Sequence, residues 1–334
     1  MPNNNEDHLM NFIKDSEQNK PNQMEEVKNN IEHFGNNTRQ KVDEIKADSD
    51  WVEIPLNHLT YNKFYRPGTR ILIRAAKTAE IESFAVVNEK NEYDVIMKTN
   101  EILAACSKMV LPEGNNASYR EIQNGDRMTL IILIAKMSAK KGRTISKTVT
   151  CDCKRDVNIE FIPANFEYAS EDQEIAEFFN PHLGIYEFPL ESGAEVKLAP
   201  PTIGIQEDVS NYIFVQTMKS GGKKLPNLAF MQTIPYLKAG QRTNKKLTPE
   251  QLEQEEYNFS KMNDEMFMFS HEVVMNKLDF GVQSVKCNCP NCGEEVKAEF
   301  AYPDGPRSLF IVPNSFKQFI RQSVRVHGSN ESAK

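Results

Sequence analysis

A chain of 334 residues with 39% hydrophobic and 26% charged side chains is long enough for one large domain or two smaller ones and can bury a substantial core. No apolar run approaches the ~18–20 residues that span a bilayer. The longest, Leu130 to Ala135, is far too short, and the polar, acidic stretch from Met1 to Lys20 is unlike a secretory signal, so a cytosolic location is the default expectation. The net charge of −7 is uneven: residues 1–50 carry six basic and eleven acidic side chains, leaving −2 for residues 51–334, which argues against the basic footprint of a general nucleic-acid binder.

Residues 1–50 are rich in Asn, Glu, Asp, Gln and Lys and poor in large apolar residues, the composition of a flexible acidic arm. Order is expected from Trp51. Trp51 to Leu56 alternates like an edge strand, a loop runs from Asn57 to Gly68, and Arg70 to Arg74 forms a second strand. Helices follow: Thr78 to about Val87, one opened by Asp94 with Val95, Ile96, Ile102, Leu103 and Cys106 as its stripe, and one from Asp126 whose run Met128 to Met137 is apolar on nearly all sides and therefore internal. The period then changes to two. Thr144 to Phe161 reads as a hairpin with Cys151 and Cys153 near its tip, and Phe188 to Leu198 as a second hairpin turning at Ser192-Gly193. A helix is expected from about Asp208 to Lys219. Gly-, Lys-, Asn- and Pro-rich residues 221–248 suggest a mobile insertion, and Pro249 starts a long amphipathic helix to about Leu278. Val282 to Tyr302 is a hairpin carrying Cys287, Cys289 and Cys292, and a last helix is expected over Ser315 to Val324.

Five of the six cysteines fall in two tight clusters, which in a cytosolic chain points to metal rather than disulfides. Cys289-Pro-Asn-Cys292-Gly is a knuckle whose glycine permits a turn aiming amides at sulfur. It supplies two of the four ligands of a tetrahedral zinc, and Cys151 and Cys153 can supply the others. Cys287 is a possible substitute for Cys151. The segment Thr148 to Cys153 followed by Val157 to Phe161 resembles Ser284 to Cys289 followed by Val296 to Phe300, as if two half-sites faced each other. A redox dithiol is the competing reading, but the knuckle does not open a helix, and nothing else in the sequence lowers its pKa. Cys106 reads as core.

No catalytic constellation appears: there is no HExxH, GxSxG, P-loop or GxGxxG, and no histidine is near a cysteine cluster in sequence. His58 and His182 read as surface or capping residues, and the adjacent pairs Glu255-Glu256 and Glu294-Glu295 point apart. The bases Lys140, Lys141, Arg143 and Lys147, and the group Lys223, Lys224, Arg242, Lys245 and Lys246, read as solvated loops. A zinc-ribbon nucleic-acid binder using Lys154, Arg155, Lys286 and Lys297 is the alternative, with Asp152, Glu294 and Glu295 offsetting those charges.

The order of features resembles the baseplate hub assembly proteins of T-even-type (T4-like) contractile-tailed phages. The matching pieces are Ile54-Pro55-Leu56 with Phe64-Tyr65 and Pro67-Gly68; Arg70 to Arg74 running into the Thr78/Glu80 helix; the internal helix from Asp126 to Met137; a cysteine hairpin; Phe188 to Gly193 with Val196 to Leu198 and Pro201-Thr202; and the C-x-x-C-G hairpin, together covering about residues 51–320. The resemblance implies a non-enzymatic viral protein in the host cytoplasm during assembly, or in the virion baseplate, with other baseplate and tail proteins as partners and no small-molecule substrate. The fold expected is a single α+β body over residues 51–330: a helical N-terminal half, zinc-ribbon halves at 144–162 and 282–302 joined by a structural zinc, and an inserted long helix.

Overall fold

The computed structural model describes residues 50–310 except 140–143, 170–171, 222–226, 243–244, 279 and 304. The expected arm, apart from Asp50, and the last helix lie outside these residues. The chain is mixed helix and sheet, in keeping with an α+β fold, and no described helix is long and apolar enough to cross a membrane.

An antiparallel sheet opens the fold. β1 (Val52–Ile54) pairs with β2 (Arg70–Ile73), β2 with β3 (Ser107–Val110), and β3 with β4 (Asn116–Ala117). Between β2 and β3 run α1 (Thr78–Ala85) and α2 (Glu92–Cys106), and α3 (Arg127–Ser138) follows β4. Glu80 fixes the start of α1, accepting the Lys77 amide and two bonds from the Arg74 guanidinium. The Asn91 side chain caps α2, so that helix starts two residues before the expected Asp94. As its all-round apolar sequence requires, α3 buries Leu130, Ile131, Ile132, Ile134 and Ala135.

A hairpin sits against this layer, β5 (Ser146–Thr150) with β6 (Asp156–Glu160), and is followed by β7 (Phe166–Tyr168), which becomes the third strand beside the last hairpin. The short α4 (Gln173–Ala176) leads to the sheet β8 (Phe179–Asn180), β9 (Ile185–Pro189) and β10 (Glu195–Leu198). Four helices cover it: α5 (Ile203–Lys219), α6 (Leu228–Gly240), α7 (Pro249–Phe259) and α8 (Asp264–Asn276). The hairpin β11 (Val282–Asn288) and β12 (Glu295–Glu299) then returns to the first layer, with β11 between β12 and β7.

Several expectations are corrected. α5 starts at Ile203, not near Asp208, because the Thr202 hydroxyl accepts the Ile205 amide. The long helix over Pro249 to Leu278 is two helices: α7 stops at Phe259, and Asn263 caps α8 by accepting the Glu265 amide. Helices are therefore as prominent after residue 200 as in the N-terminal half. The 221–248 stretch, expected as a mobile insertion, holds α6, which buries Phe230, Met231, Ile234 and Leu237. Gly240 ends α6 flush against β10, where a Cβ would sit 2.2 Å from the Lys197 carbonyl oxygen.

Among the described residues two large apolar cores result, with a small cluster of Ile185, Ala199, Ile205 and Ala239 beside them. One joins β1–β3, α1–α3 and the cysteine hairpins; the other joins β9, β10 and α5–α8 with Tyr61, Phe64 and Phe280. The consecutive residues Phe64 and Tyr65 enter different cores, so the two grow from one stretch of backbone.

Candidate metal centre

Both cysteine hairpins end in tight turns that the backbone closes in the same way. In the first, the Cys151 amide bonds the Arg155 carbonyl, and the Lys154 amide returns to the Cys151 carbonyl, each at 2.8 Å. In the second, the Cys289 amide bonds the Glu294 carbonyl at 2.8 Å, and the Gly293 amide returns to the Cys289 carbonyl at 2.9 Å. The last strand pairs before the turns are Thr150 with Asp156 and Asn288 with Glu295. The residue after the second cysteine is left-handed in both: Lys154 at φ 64° and Gly293 at φ 81°.

This register corrects the alignment suggested by the sequence. Cys151 matches Cys289, and Cys153 matches Cys292; the position matching Cys287 is Val149. Cys287 lies two residues up the strand, paired with Val296 and packed against the first core, and it is not one of the clustered sulfurs. Burial, then the neighbouring Cys289, raises its thiol pKa.

The four sulfurs of Cys151, Cys153, Cys289 and Cys292 all lie within 4.8 Å of one another, the one group of three or more possible metal ligands among the described residues. Their closest approaches cross between hairpins: Cys151 Sγ to Cys292 Sγ is 3.5 Å, and Cys153 Sγ to Cys289 Sγ is 3.7 Å. The first cysteine of each hairpin thus meets the second of the other, as two facing half-sites would. A tetrahedron of sulfurs about 2.3 Å from zinc has edges of about 3.8 Å, so the donor set and its spacing fit a tetrahedral Cys₄ ion.

Electrostatics point the same way. The backbone amides of Cys292 and Asn291 bring the Cys289 thiol down to about 6. At Cys292 the Glu294 amide pulls the other way, but desolvation and hydrogen bonding with the thiols of Cys151, Cys289 and Cys153 prevail and push it up to about 12. At Cys151 the Cys153 amide is the largest influence and lowers the pKa, but desolvation together with hydrogen bonding to the Cys153 and Cys289 thiols raises it overall. Four like charges this close cannot all form unaided; a bound cation is what would let all four ionise. Asn291 is a further contributor, its side-chain Nδ2 donating to Cys153 Sγ at 3.5 Å. In the sequence, only the presence of an amide inside the knuckle points to it. Cys151 and Cys289 are buried while Cys292 is exposed, so the cluster sits at the rim of the first core.

The remaining candidates lie apart from the cluster. Cys106 is fully buried, its thiol facing Glu80 and pushed up to about 12, chiefly by burial. His58, ending a short 3-10 helix, and His182, in a turn, are both exposed. Glu255 pairs with Lys238 while Glu256 accepts from the Tyr212 hydroxyl, so the adjacent carboxylates do diverge. Lys286 and Lys297 are both held by Glu167 and Glu295, with Lys297 first among the partners that keep the Glu167 carboxyl at about 2. Two of the four bases named for nucleic acid are therefore neutralised on the sheet face.

Compared with known proteins, the chain matches no family model, and no curated protein or solved structure matches it.

Proposed function

We propose that the protein is a non-enzymatic part of the baseplate hub of a contractile phage tail, structural or chaperoning, whose fold is clasped by one zinc ion on Cys151, Cys153, Cys289 and Cys292. The observation that carries the clasp is the meeting of four sulfurs from two turns 136 residues apart. The hub role rests on the resemblance in the order of sequence features from Ile54 to the C-x-x-C-G hairpin.

Zinc bound there would supply a non-redox cross-link between four thiolates. The chain's own contribution is to hold those thiolates: the Cys292 and Asn291 amides stabilise charge on Cys289, and the Asn291 side chain orients Cys153. The paired lysines on the β11–β12 face leave little free positive charge for nucleic acid, which favours protein partners over the alternative.

Two measurements test the proposal. Metal analysis of purified protein is expected to give one zinc per chain; a metal-free, fully folded preparation would overturn the clasp. Affinity purification of the full chain with the other proteins of its genome, read by mass spectrometry, is expected to recover baseplate and tail proteins. Recovery of nucleic acid without tail proteins would overturn the hub role.

A further inference from the structure

On one side of α8 the second core is left uncovered. A groove of about 490 Å³ is lined by Ile175, Phe178, Phe188, Met268, Phe269 and Val273, with Glu174, Glu272 and Lys277 at its edge. Met268 is 65% exposed, an apolar side chain that water solvates at a cost. Methionine and phenylalanine linings adapt to incoming side chains of varied shape.

The surrounding charge is one-sided. Residues 249–276 contain seven acidic side chains and one lysine. The nearby lysines already have partners: Lys277 with Asp172 and Glu174, Lys197 with Glu187 and Glu195, and Lys238 with Glu255. Glu272 at the groove and Glu250, Glu253 and Asp264 on the same two helices have no ion pair among the described residues. An apolar slot edged by the unpaired Glu272, on a helix pair of strongly acidic composition, complements one kind of surface: apolar side chains every third or fourth residue, flanked by lysine or arginine.

We infer that the groove beside α8 is a docking site for a cationic amphipathic helix of a partner protein. The inference rests on the protein-binding reading above but not on the metal or on which assembly the protein serves. Apolar anchors of the helix enter between Phe188 and Met268, and a basic residue meets Glu272.

The test uses an 18-residue leucine–lysine peptide with helical periodicity and a control of the same composition with period two, titrated against the full protein by fluorescence anisotropy. The helical probe is expected to bind and gain helicity, and the control to bind at least about tenfold more weakly. Met268→Ser and Glu272→Lys, both at exposed positions, should retain the melting temperature and each weaken the helical probe about tenfold, whereas Glu250→Lys, outside the groove, should change it less than about twofold. No binding, equal binding of the control, or equal loss with Glu250→Lys would overturn the inference. So would a dimer in the free protein that Met268→Ser dissociates, because a second copy would then cover the groove. A metal-free, fully folded preparation, or failure to recover tail proteins, would leave this readout in place, so the two proposals fail separately.

Discussion

At the scale of single residues, the two turns differ at one instructive position. Gly293 takes its left-handed backbone freely, whereas Lys154 does so with a side chain, at a cost of about 1 kcal/mol. Lys154→Gly should therefore stabilise the folded protein by up to about 1 kcal/mol, and Gly293→Ala should destabilise it by a similar amount, both measured by chemical denaturation. Asp126 makes a second residue-scale case. It is fully buried before α3, accepts the Tyr65 hydroxyl at 2.9 Å and the Tyr61 amide at 3.3 Å, and burial foremost raises its pKa to about 7. A carboxyl whose folded pKa is raised favours folding most when protonated. Its contribution is full below about pH 4, its unfolded value, and is lost as pH rises through about 7. Asp126→Asn should flatten that fall in stability between about pH 4 and 7, as measured by urea titrations of both proteins across the range. A wild-type curve no steeper than the variant's would contradict the assignment.

At the scale of elements, α3 and both cysteine hairpins could be read from the sequence, because all-round apolarity and period-two alternation are local patterns that burial reinforces. α6 could not. Its flanks are rich in glycine and lysine, and Pro235 sits mid-helix, so local propensity argued for a loop; burial of Phe230, Ile234 and Leu237 against β10 and α8 decided otherwise. The break between α7 and α8 was hidden for the converse reason, since the amphipathic pattern runs through Met262 while Asn263 restarts the helix with its own cap. The four clustered cysteines were legible as pairs, but their register was not. Cys-x-Cys matches Cys-x-x-Cys only when the turns are aligned by their left-handed residue, and sequence identity had aligned Cys151 with Cys287. Cys292→Ser and Cys153→Ser are each expected to abolish zinc binding and lower the melting temperature, with the double variant little worse than either, whereas Cys287→Ser should keep its zinc. Strictly additive losses would mean that the hairpins do not share an ion.

For the whole molecule, the two cores are joined by a partly buried polar knot. Arg120 donates to Glu207 and to Asp208, each at 2.7 Å, and to the Gly204 carbonyl, while Tyr119 and Asn100 also donate to Glu207. Arg120 belongs to the turn before α3, the carboxylates to α5. Removing the cation strands two carboxylates with little water, so Arg120→Met should cost about 3–5 kcal/mol in denaturant unfolding. Because α5 itself enters both cores, through Ile203 and Val209, that loss should appear as one weakened transition rather than two. Closing the loop between the hairpins costs on the order of 4–5 kcal/mol, which the about 10–16 kcal/mol of the proposed structural zinc would outweigh.

The 136 residues between Cys153 and Cys289 also impose an order in time. A ribosome adding about 5–20 residues each second makes the first half-site on the order of ten seconds before the second. Until then the nascent chain offers one pair of thiols, too few for a tetrahedral site, and any product ending before Cys289 never acquires the second pair. Metal retention would then act as a proofreading mark, separating finished chains from abandoned ones before either meets a partner.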